Sequence, residues 1–504
     1  MINLKFLEVD NVIISSIPRI LPNSLRIMKW NRYSSKYLPS NFQLNKLVSL
    51  KMWHSKLVGL WDERIDLPNL KYIGLSFSRN LATTPIFTGI PKLKVLNLQW
   101  CENLVEIHPS VADLKWLTHL ILNGCKSVKS LPKEIEMDSL IYLYLQGCSK
   151  LKKIPEFSGQ MKKISTPDLK GTPVEKLPSS IGRLVGLTFL NVGNCENLLG
   201  LPSEICNLKS LEWLFSRNTF SDKSRFWWGL QRKAFVLGSV HGLWSLKFLD
   251  LNDCGLCEGD IPVDIGCLSS LEELDLSRNN FVSLPPSIGC LPKLKSLKVN
   301  GCQRLQQLPH LRFGFVDNEG FCEIYMNTDD CTSLTMLPKL SIKEGRRYVK
   351  LRCVNCFGLV ENEGCDESII LGMLWIAMDW RFLQVPRWNI PAFQIVTPGS
   401  RIPEWFNNQS VGYSLIVELP SCTTSIWIAF CDVFEEGAPV DHPNPPQYLS
   451  TNSQIECRPR EGACVRSNPI TKGHLVSPHL WLMQVETLTK NLSAAKAMLF
   501  PNGF

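Results

Sequence analysis

The chain has 504 residues, of which 44% are hydrophobic and 20% are charged, and its formal net charge is +8. A chain of this length and composition can bury a sizeable core and suggests more than one domain. The positive charge is spread thinly, and no basic run alternates with aromatic residues, which argues against a nucleic-acid-binding surface. The longest apolar run, residues 369–378, is too short to cross a membrane.

Residues 93–104 contain a unit that recurs through residues 1–310, with the pattern L-x-x-L-x-L-x-x-C-x-x-L of a leucine-rich repeat. Alternation along a strand predicts that Leu96 and Leu98 point inward, whereas Val95, Asn97 and Gln99 face outward. One such strand cannot bury its own leucines, so the copies must stack against one another. The first position of the unit recurs at Leu4, Leu25, Leu47, Leu70, Leu93, Leu117, Leu140, Ile164, Leu187, Leu211, Leu246, Leu271 and Leu294.

The spacing of these thirteen units is 21 to 25 residues, apart from one step of 35 that holds an insertion around residues 221–231. We therefore predict an α/β fold: a curved leucine-rich-repeat solenoid of about 13 repeats with its parallel strands on the concave side. Two units are imperfect, because Pro167 and Ser216 each replace a core leucine. A second signature, Leu-Pro, recurs between the strands, and proline there favours an extended convex segment over a sheet centre.

A column of small residues closes the strands. Its members are Cys101, Cys125, Cys148, Cys195, Cys254, Cys302 and Asn279. We expect these side chains to be buried and to donate hydrogen bonds to the backbone of the turns, which would otherwise hold unsatisfied groups. The column accounts for six of the 19 cysteines without disulfides.

Six aromatic side chains occupy strand positions that alternation assigns to the solvated face. They are Tyr142, Tyr144, Phe189, Trp213, Phe215 and Phe248. Exposed aromatic patches commonly mark protein contacts, so we predict a partner-binding stripe on the concave face. Two alternatives are that the rings pack against each other, or that they pack against another module of a longer protein.

The regular repeats fade after Leu308-Pro309, and the predicted domains are residues 1–310 for the solenoid and 311–384 for a degenerate capping repeat with a helical connector. The connector helix is expected over residues 366–383. Residues 385–504 alternate short β-rich runs with Pro/Gly/Asn breaks, which predicts a smaller β-sandwich domain of jelly-roll or Ig-like type. Its densest motif comprises Pro398, Gly399, Ile402, Pro403, Trp405 and Phe406. These aromatic residues are either core anchors or part of a site.

The residue patterns of metal and catalytic sites are weak in this chain. The pairs Cys254–Cys257 and Cys353–Cys356 have zinc-like C-x-x-C spacing, but Cys254 already belongs to the repeat column. No histidine pair or nucleophile arrangement stands out, so we predict no cofactor, no metal and no catalytic step in this chain. The chain starts directly in a repeat without a signal peptide, and residues 1–310 hold no glycosylation sequon. We expect a reducing cytoplasmic location, with the nucleus as an alternative.

The order of several motifs resembles the repeat region of plant TIR–NB–LRR disease-resistance proteins. They include Leu21-Pro-Asn-Ser-Leu-Arg, Leu38-Pro-Ser-Asn-Phe, Ile107-His-Pro-Ser and Leu131-Pro-Lys-Glu-Ile. Residues 393–434, headed by Pro398–Phe406, resemble the post-repeat jelly-roll/Ig-like domain of that family. The segment after Trp481 departs from the family pattern, so the last strands of this domain are expected to be incomplete. The chain then reads as a fragment, a truncated gene or a divergent short form.

The resemblance implies a ligand-recognition and autoinhibitory region of an intracellular immune receptor. Its partner would be a pathogen effector, a guarded host protein or, in a longer chain, the NB module in cis. The family's NAD hydrolysis resides in a TIR domain and its ATP binding in the NB module, and no phosphate-binding G-x-x-x-x-G-K-[ST] loop occurs here. Oligomers would therefore require those modules. The alternatives are a stand-alone scaffold or decoy that binds a protein, and part of a TIR NAD hydrolase receptor whose catalytic domain is absent here.

Overall fold

The structure, a computed structural model, describes ten ranges of repeat residues and six later strands. The ranges are 3–12, 21–39, 42, 44–61, 64–158, 161–217, 237–313, 321–337, 340–342 and 346–359. The predicted connector helix over 366–383 lies outside the described residues. The chain divides into two compact units, residues 1–271 and residues 272–504. No helix among the described residues is long and apolar enough to span a membrane.

The first unit is built on short core strands, one in each repeat, and it contains two additional short strands, β7 and β9. Their bounds are β1 Phe6–Val9, β2 Ile27–Trp30, β3 Ser49–Lys51, β4 Tyr72–Gly74, β5 Val95–Asn97, β6 His119–Ile121, β7 Glu134–Ile135, β8 Tyr142–Tyr144, β9 Glu156–Phe157, β10 Thr166–Asp168, β11 Phe189–Asn191, β12 Trp213–Phe215 and β13 Phe248–Asp250. All pairs are parallel and join equivalent repeat positions, as in Val95 opposite His119 and Leu96 opposite Leu120. The short strands β7 and β9 pair separately with each other. The predicted parallel solenoid of repeats is confirmed.

A typical three-residue strand buries its central residue and leaves the two flanking residues partly exposed. Leu96 and Leu98 are each 1% exposed, whereas Val95, Asn97 and Gln99 are half-buried. The imperfect repeat keeps the same register, because Pro167 in β10 lies opposite Leu143 in β8 and is buried. The predicted alternation is therefore confirmed, and the stacked leucines form the core.

The segments between the strands carry short 3-10 helices. Their bounds are Phe87–Gly89, Pro109–Asp113, Ser179–Arg183, Ser203–Asn207 and Val263–Cys267 in the first unit, and Pro286–Cys290 and Phe357–Leu359 in the second. Prolines Pro178, Pro202, Pro262 and Pro285 stand in extended conformation directly before four of them. Proline suits this place because its fixed φ leads into the turn and no donor is lost from the sheet. The described residues contain no α-helix.

The cysteine column is buried as expected, and its thiols bond to carbonyl oxygens of the preceding repeat. The Sγ atom of Cys125 donates to the Leu98 carbonyl at 3.1 Å, and that of Cys148 donates to Leu122 at 3.2 Å. Hydroxyl residues stand at the same position in other repeats, where Ser55 Oγ donates to the Met52 carbonyl at 2.9 Å and Thr172 Oγ1 to Leu169 at 2.8 Å. The column is thus a ladder of small donors that satisfies the turn carbonyls.

The second unit continues the repeat geometry beyond residue 310. Its strands are β14 Glu273–Asp275, β15 Ser296–Lys298, β16 Leu311–Phe313, β17 Phe321–Asn327, β18 Leu340–Ile342 and β19 Arg346–Arg352. Strand β15 pairs in parallel with β17, and β17 with β19. Cys331 and Cys356 take the column position, with Sγ atoms 3.1 Å from the Val299 carbonyl and 2.9 Å from that of Thr328. Two turns that the sequence placed in a degenerate capping segment are thus built like the others. The boundary at residue 310 stays a prediction.

Six further strands follow in the second unit. They are β20 Phe393–Pro398, β21 Ile416–Glu418, β22 Ile428–Phe434, β23 Gln454–Arg458, β24 Val465–Arg466 and β25 His479–Val485. Strand β25 pairs antiparallel with both β20 and β22, while β20 also pairs in parallel with β19. Strands β20, β21, β22 and β25 overlap the β-rich runs of the sequence. Their arrangement as a sandwich stays a prediction.

Candidate protein-binding surface

The outward face of the first unit is formed by the first and third residues of each three-residue strand. Most of these positions are partly exposed, because the strand's central residue points into the core, whereas Gly74 and Asp250 are buried. All six aromatic residues of the predicted stripe lie at such positions. Five are half-buried, and Trp213 is 40% exposed. All six therefore lie on the outward face, and their role in binding a partner stays a prediction.

Four of the aromatic rings form one group, the Phe/Trp cluster, which consists of Phe189, Trp213, Phe215 and Phe248. Parallel register sets Trp213 between Phe189 on one side and Phe248 on the other. The ring centroids of Trp213 and Phe248 are 5.5 Å apart, those of Phe215 and Phe248 4.8 Å, and those of Phe189 and Phe215 5.3 Å. Rings at these distances attract one another beyond simple burial. Mutual packing thus orders the cluster, yet Trp213 keeps a large exposed surface.

The two tyrosines form a separate group with a histidine. The rings of Tyr142 and Tyr144 on β8 stack at a centroid distance of 5.9 Å, and His119 on β6 lies 4.6 Å from Tyr142. Burial lowers the pKa of His119 below its ordinary value, which favours the neutral imidazole. This group, the Tyr/His cluster, presents hydroxyl and imidazole groups beside aromatic faces. Its surface is more polar than that of the Phe/Trp cluster.

Strand β10 separates the two clusters. Its outward residues are Thr166 and Asp168, so one strand without an aromatic ring interrupts the predicted stripe. Burial raises the pKa of the Asp168 carboxyl, and the backbone N–H and charge of Lys170 act in the opposite direction. The hydroxyl Oγ1 of Thr166 is buried without a hydrogen-bond partner among the described residues. The surface therefore consists of an apolar patch, a polar strand and a tyrosine patch.

Asparagine and aspartate at the third strand position have a local structural role that sequence reasoning missed. Asn97 Oδ1 accepts the backbone N–H of Gln99 at 3.1 Å, and Asn191 Oδ1 that of Gly193 at 3.0 Å. Asp250 Oδ1 accepts that of Asn252 at 3.0 Å in the same way. Such a side chain replaces a ladder bond where the strand ends. The signal is the two-residue offset that recurs in several repeats, and it explains these side chains without a partner.

The post-repeat motif is described only at its first residue. Pro398 is the last residue of β20 and lies opposite His479 in β25. The other five predicted residues, Gly399, Ile402, Pro403, Trp405 and Phe406, lie outside the described residues. Their role stays a prediction.

The two C-x-x-C pairs lie in the turns that follow repeat strands. Cys254 donates its thiol to the Ser216 carbonyl at 3.3 Å, while Cys257 is exposed. Cys353 and Cys356 are both buried, and burial raises the pKa of the Cys356 thiol to about 12. The described residues include no group of three or more potential metal ligands. The second pair belongs to a repeat turn, as Cys254 does.

Comparisons with known proteins agree with this architecture. Residues 136–335 match the family described as "Disease resistance protein RPS4B-like, leucine-rich repeats". TMV resistance protein N of Nicotiana glutinosa is 39% identical over 58% of this chain and 29% of its own length. Disease resistance-like protein DSC1 of Arabidopsis thaliana is 31% identical over 79% of this chain and 35% of its own length. This chain is a relative of plant disease resistance proteins.

The chain aligns with only part of the length of each relative. The chain spans about a third of the length of the two curated relatives, 29% and 35%. Among solved structures, a leucine-rich repeat protein of Leptospira interrogans is 22% identical, with a TM-score of 0.37, over 68% of this chain and 92% of its own. The matched family and the relatives support a leucine-rich repeat region similar to that of plant disease resistance proteins.

Proposed function

We propose that this chain is the ligand-recognition and autoinhibitory region of an intracellular plant immune receptor. Its similarity to disease resistance proteins supports a role in plant immunity, and the Phe/Trp cluster supports the binding of a protein partner. The proposed partner is a protein, either a pathogen effector or a guarded host protein. In a longer chain the NB module would compete for the same face and thereby restrain the receptor.

The Phe/Trp cluster suits the centre of such a contact. Tryptophan and other aromatic residues dominate the binding energy of protein interfaces, and they do so where neighbouring contacts exclude water. Trp213 is ordered by Phe215 and Phe248 before any partner arrives, so little side-chain entropy is lost on binding. The polar strand β10 and the Tyr/His cluster would supply the more polar part of the interface.

The role is one of binding without a catalytic step. The outward face of the first unit offers aromatic, hydroxyl, amide, imidazole and carboxyl groups, and burial raises the pKa of the Cys101 thiol on the inner side to about 12. A thiol with such a pKa is protonated at neutral pH and is a poor nucleophile. The NAD hydrolysis implied by the family would belong to a separate TIR domain.

The proposal can be tested by placing a photo-crosslinking amino acid at position 213 of the full chain and, as a matched control, at Trp116. Trp116 is 61% exposed and lies outside both clusters. In extracts of infected and healthy leaf tissue, position 213 is expected to capture a protein that position 116 does not. Affinity of that purified protein for Trp213→Ala should fall about thirtyfold, the equivalent of about 2 kcal/mol for a central anchor.

The control variant Trp116→Ala should leave that affinity unchanged. Equal affinities of the wild-type chain and Trp213→Ala would remove the Phe/Trp cluster from the interface. Capture in infected tissue alone would identify a pathogen-dependent partner, whereas capture in both tissues would favour a resident host protein.

A further inference from the structure

A second aromatic array lies in the turns that follow strands β3, β4 and β5, away from the two clusters described above. His54 and Phe77 stack with ring centroids 4.8 Å apart and planes 9° from parallel. Phe77 and Trp100 follow at 6.5 Å and 11°. The three residues take the same position in successive repeats, and Phe77 is 39% and Trp100 37% exposed. We call this array the turn ladder.

The backbone conformation of the turn ladder is unusual for large side chains. His54, Phe77 and Trp100 have φ angles of 56°, 62° and 59°, in the left-handed region. The next three repeats have glycine at this position, at Gly124, Gly147 and Gly171. Glycine adopts the left-handed conformation without cost, whereas bulky residues adopt it at an expense in free energy. Three consecutive rings therefore occupy positions where local backbone preference would select glycine.

A cavity of about 370 Å³ opens beside the ladder. It is lined by His54, Ser55, Lys56, Phe77, Arg79 and Asn80. Lys56 and Arg79 are both exposed and hold equivalent positions in neighbouring repeats. Among the described residues, no carboxylate lies within ion-pair distance of either cation, and the lining contains no acidic residue. An anion bound in the cavity would be attracted to both of these cations.

We propose that this cavity binds a small ligand that combines a flat aromatic ring with an anionic group. The faces of His54 and Phe77 stack on each other, so the ligand ring would pack against the exposed edges of these two rings, and Lys56 and Arg79 would contact the anion. The amide of Asn80 adds a hydrogen-bonding group to the lining. The cavity volume lies at the small end of ligand pockets, so it fits one ring system and one anionic group.

The anionic group is a phosphate, as in a nucleoside monophosphate, or a carboxylate on an aromatic ring. Both present negatively charged oxygens to the same pair of cations, and a planar ring to the same aromatic surface. A neutral ring would leave the two cations without an anion, and inorganic phosphate alone would leave the aromatic surface exposed. The combined ligand is therefore expected to bind more tightly than either part. This inference does not depend on the proposed role of the Phe/Trp cluster.

Isothermal titration calorimetry of the full chain at low salt tests this inference with four probes: adenosine monophosphate, adenosine, inorganic phosphate and 2-naphthoate. At least one aromatic anion is expected to bind about tenfold or more tightly than adenosine and phosphate. Binding of the monophosphate alone would identify a phosphate ligand, and binding of 2-naphthoate alone a carboxylate. If neither aromatic anion binds at millimolar concentration, the inference is wrong.

Two variants locate the binding. Phe77→Gly removes the ring and places glycine where φ is 62°, so the fold should persist, as a circular dichroism melt would verify. Arg79→Gln removes one cation from the cavity. Each should weaken binding of the aromatic anion about tenfold, whereas Trp116→Ala should not change it. Unchanged affinity in both Phe77→Gly and Arg79→Gln would overturn the assignment to this cavity.

Discussion

Buried hydroxyl groups in the repeats differ in whether they find an acceptor. Ser55 and Ser216 are both buried, with exposed fractions of 4% and 1%. Ser55 Oγ donates to the Met52 carbonyl at 2.9 Å, whereas Ser216 Oγ has no hydrogen-bond partner among the described residues. Ser216 stands where other repeats have a core leucine. A buried hydroxyl without an acceptor loses its hydration and gains nothing in return.

Replacing each serine by alanine should therefore change stability in opposite directions. Ser216→Ala is expected to raise the free energy of unfolding by about 1 kcal/mol, because it removes an unsatisfied polar group. Ser55→Ala is expected to lower it by about 1 kcal/mol, because it leaves the Met52 carbonyl without this donor. Urea denaturation of both variants measures the difference. A loss of stability in Ser216→Ala would show that its hydroxyl does find a partner.

At the left-handed turns, a side chain of one repeat can pack closely against the backbone of the next repeat. A side chain built on Gly124 would place Cβ 2.4 Å from Cε3 of the Trp100 ring, so the indole of one repeat packs against the glycine backbone of the next. Gly147 has almost the same φ, +71° against +72°, but the nearest atom to its Cβ is 3.8 Å away. The two glycines therefore share a backbone requirement and differ in steric contact.

Substitution by alanine separates these two effects. Gly147→Ala should lower the free energy of unfolding by about 1 kcal/mol from the left-handed backbone alone. Gly124→Ala should lower it by a further ~1–3 kcal/mol, because the new methyl group also displaces Trp100. In the double variant Trp100→Gly/Gly124→Ala the additional cost should disappear. Equal losses for the two alanine variants would mean that the indole shifts freely.

Across the molecule, the cysteine column links stability to pH. Burial raises the pKa of Cys101, Cys148 and Cys302 from 9.0 to about 12, so the folded chain holds these thiol protons more firmly than the unfolded chain. Below pH 9 both states are protonated and the full stability is present. Between pH 9 and 12 the unfolded chain releases protons that the folded chain retains, and stability therefore falls.

The free energy of unfolding should decrease by about 1.4 kcal/mol for each such thiol between pH 8 and pH 10. Urea midpoints measured at both pH values test this expectation. Cys148→Thr places at this position the residue that Thr172 provides in a neighbouring repeat, where its hydroxyl donates to the Leu169 carbonyl at 2.8 Å. At pH 7 the free energy of unfolding of this variant should be close to that of the wild-type chain. At pH 10 it should have fallen by less than that of the wild-type chain. If the variant and the wild-type chain lose the same stability at alkaline pH, groups other than the Cys148 thiol are responsible for the loss.

The candidate surface could be predicted in part, because parallel repeats pair position by position. Trp213 and Phe248 are 35 residues apart in the sequence. They nevertheless lie opposite each other, because each is the first residue of the strand in its repeat. The column of aromatic residues was therefore readable from the chain. The turn ladder was not, because its residues fall outside the leucine pattern and their stacking depends on left-handed turns.

The leucine spacing by itself determined the repeat fold, the alternation of core and surface residues and the buried cysteine column. These properties follow from the short-range geometry of a strand and from the need to bury leucines that one repeat cannot cover. Only the tertiary structure decided which rings meet and that the turns at Cys331 and Cys356 are built like those of the other repeats. Those properties depend on contacts between repeats, which arise after the chain has stacked and which no single repeat encodes.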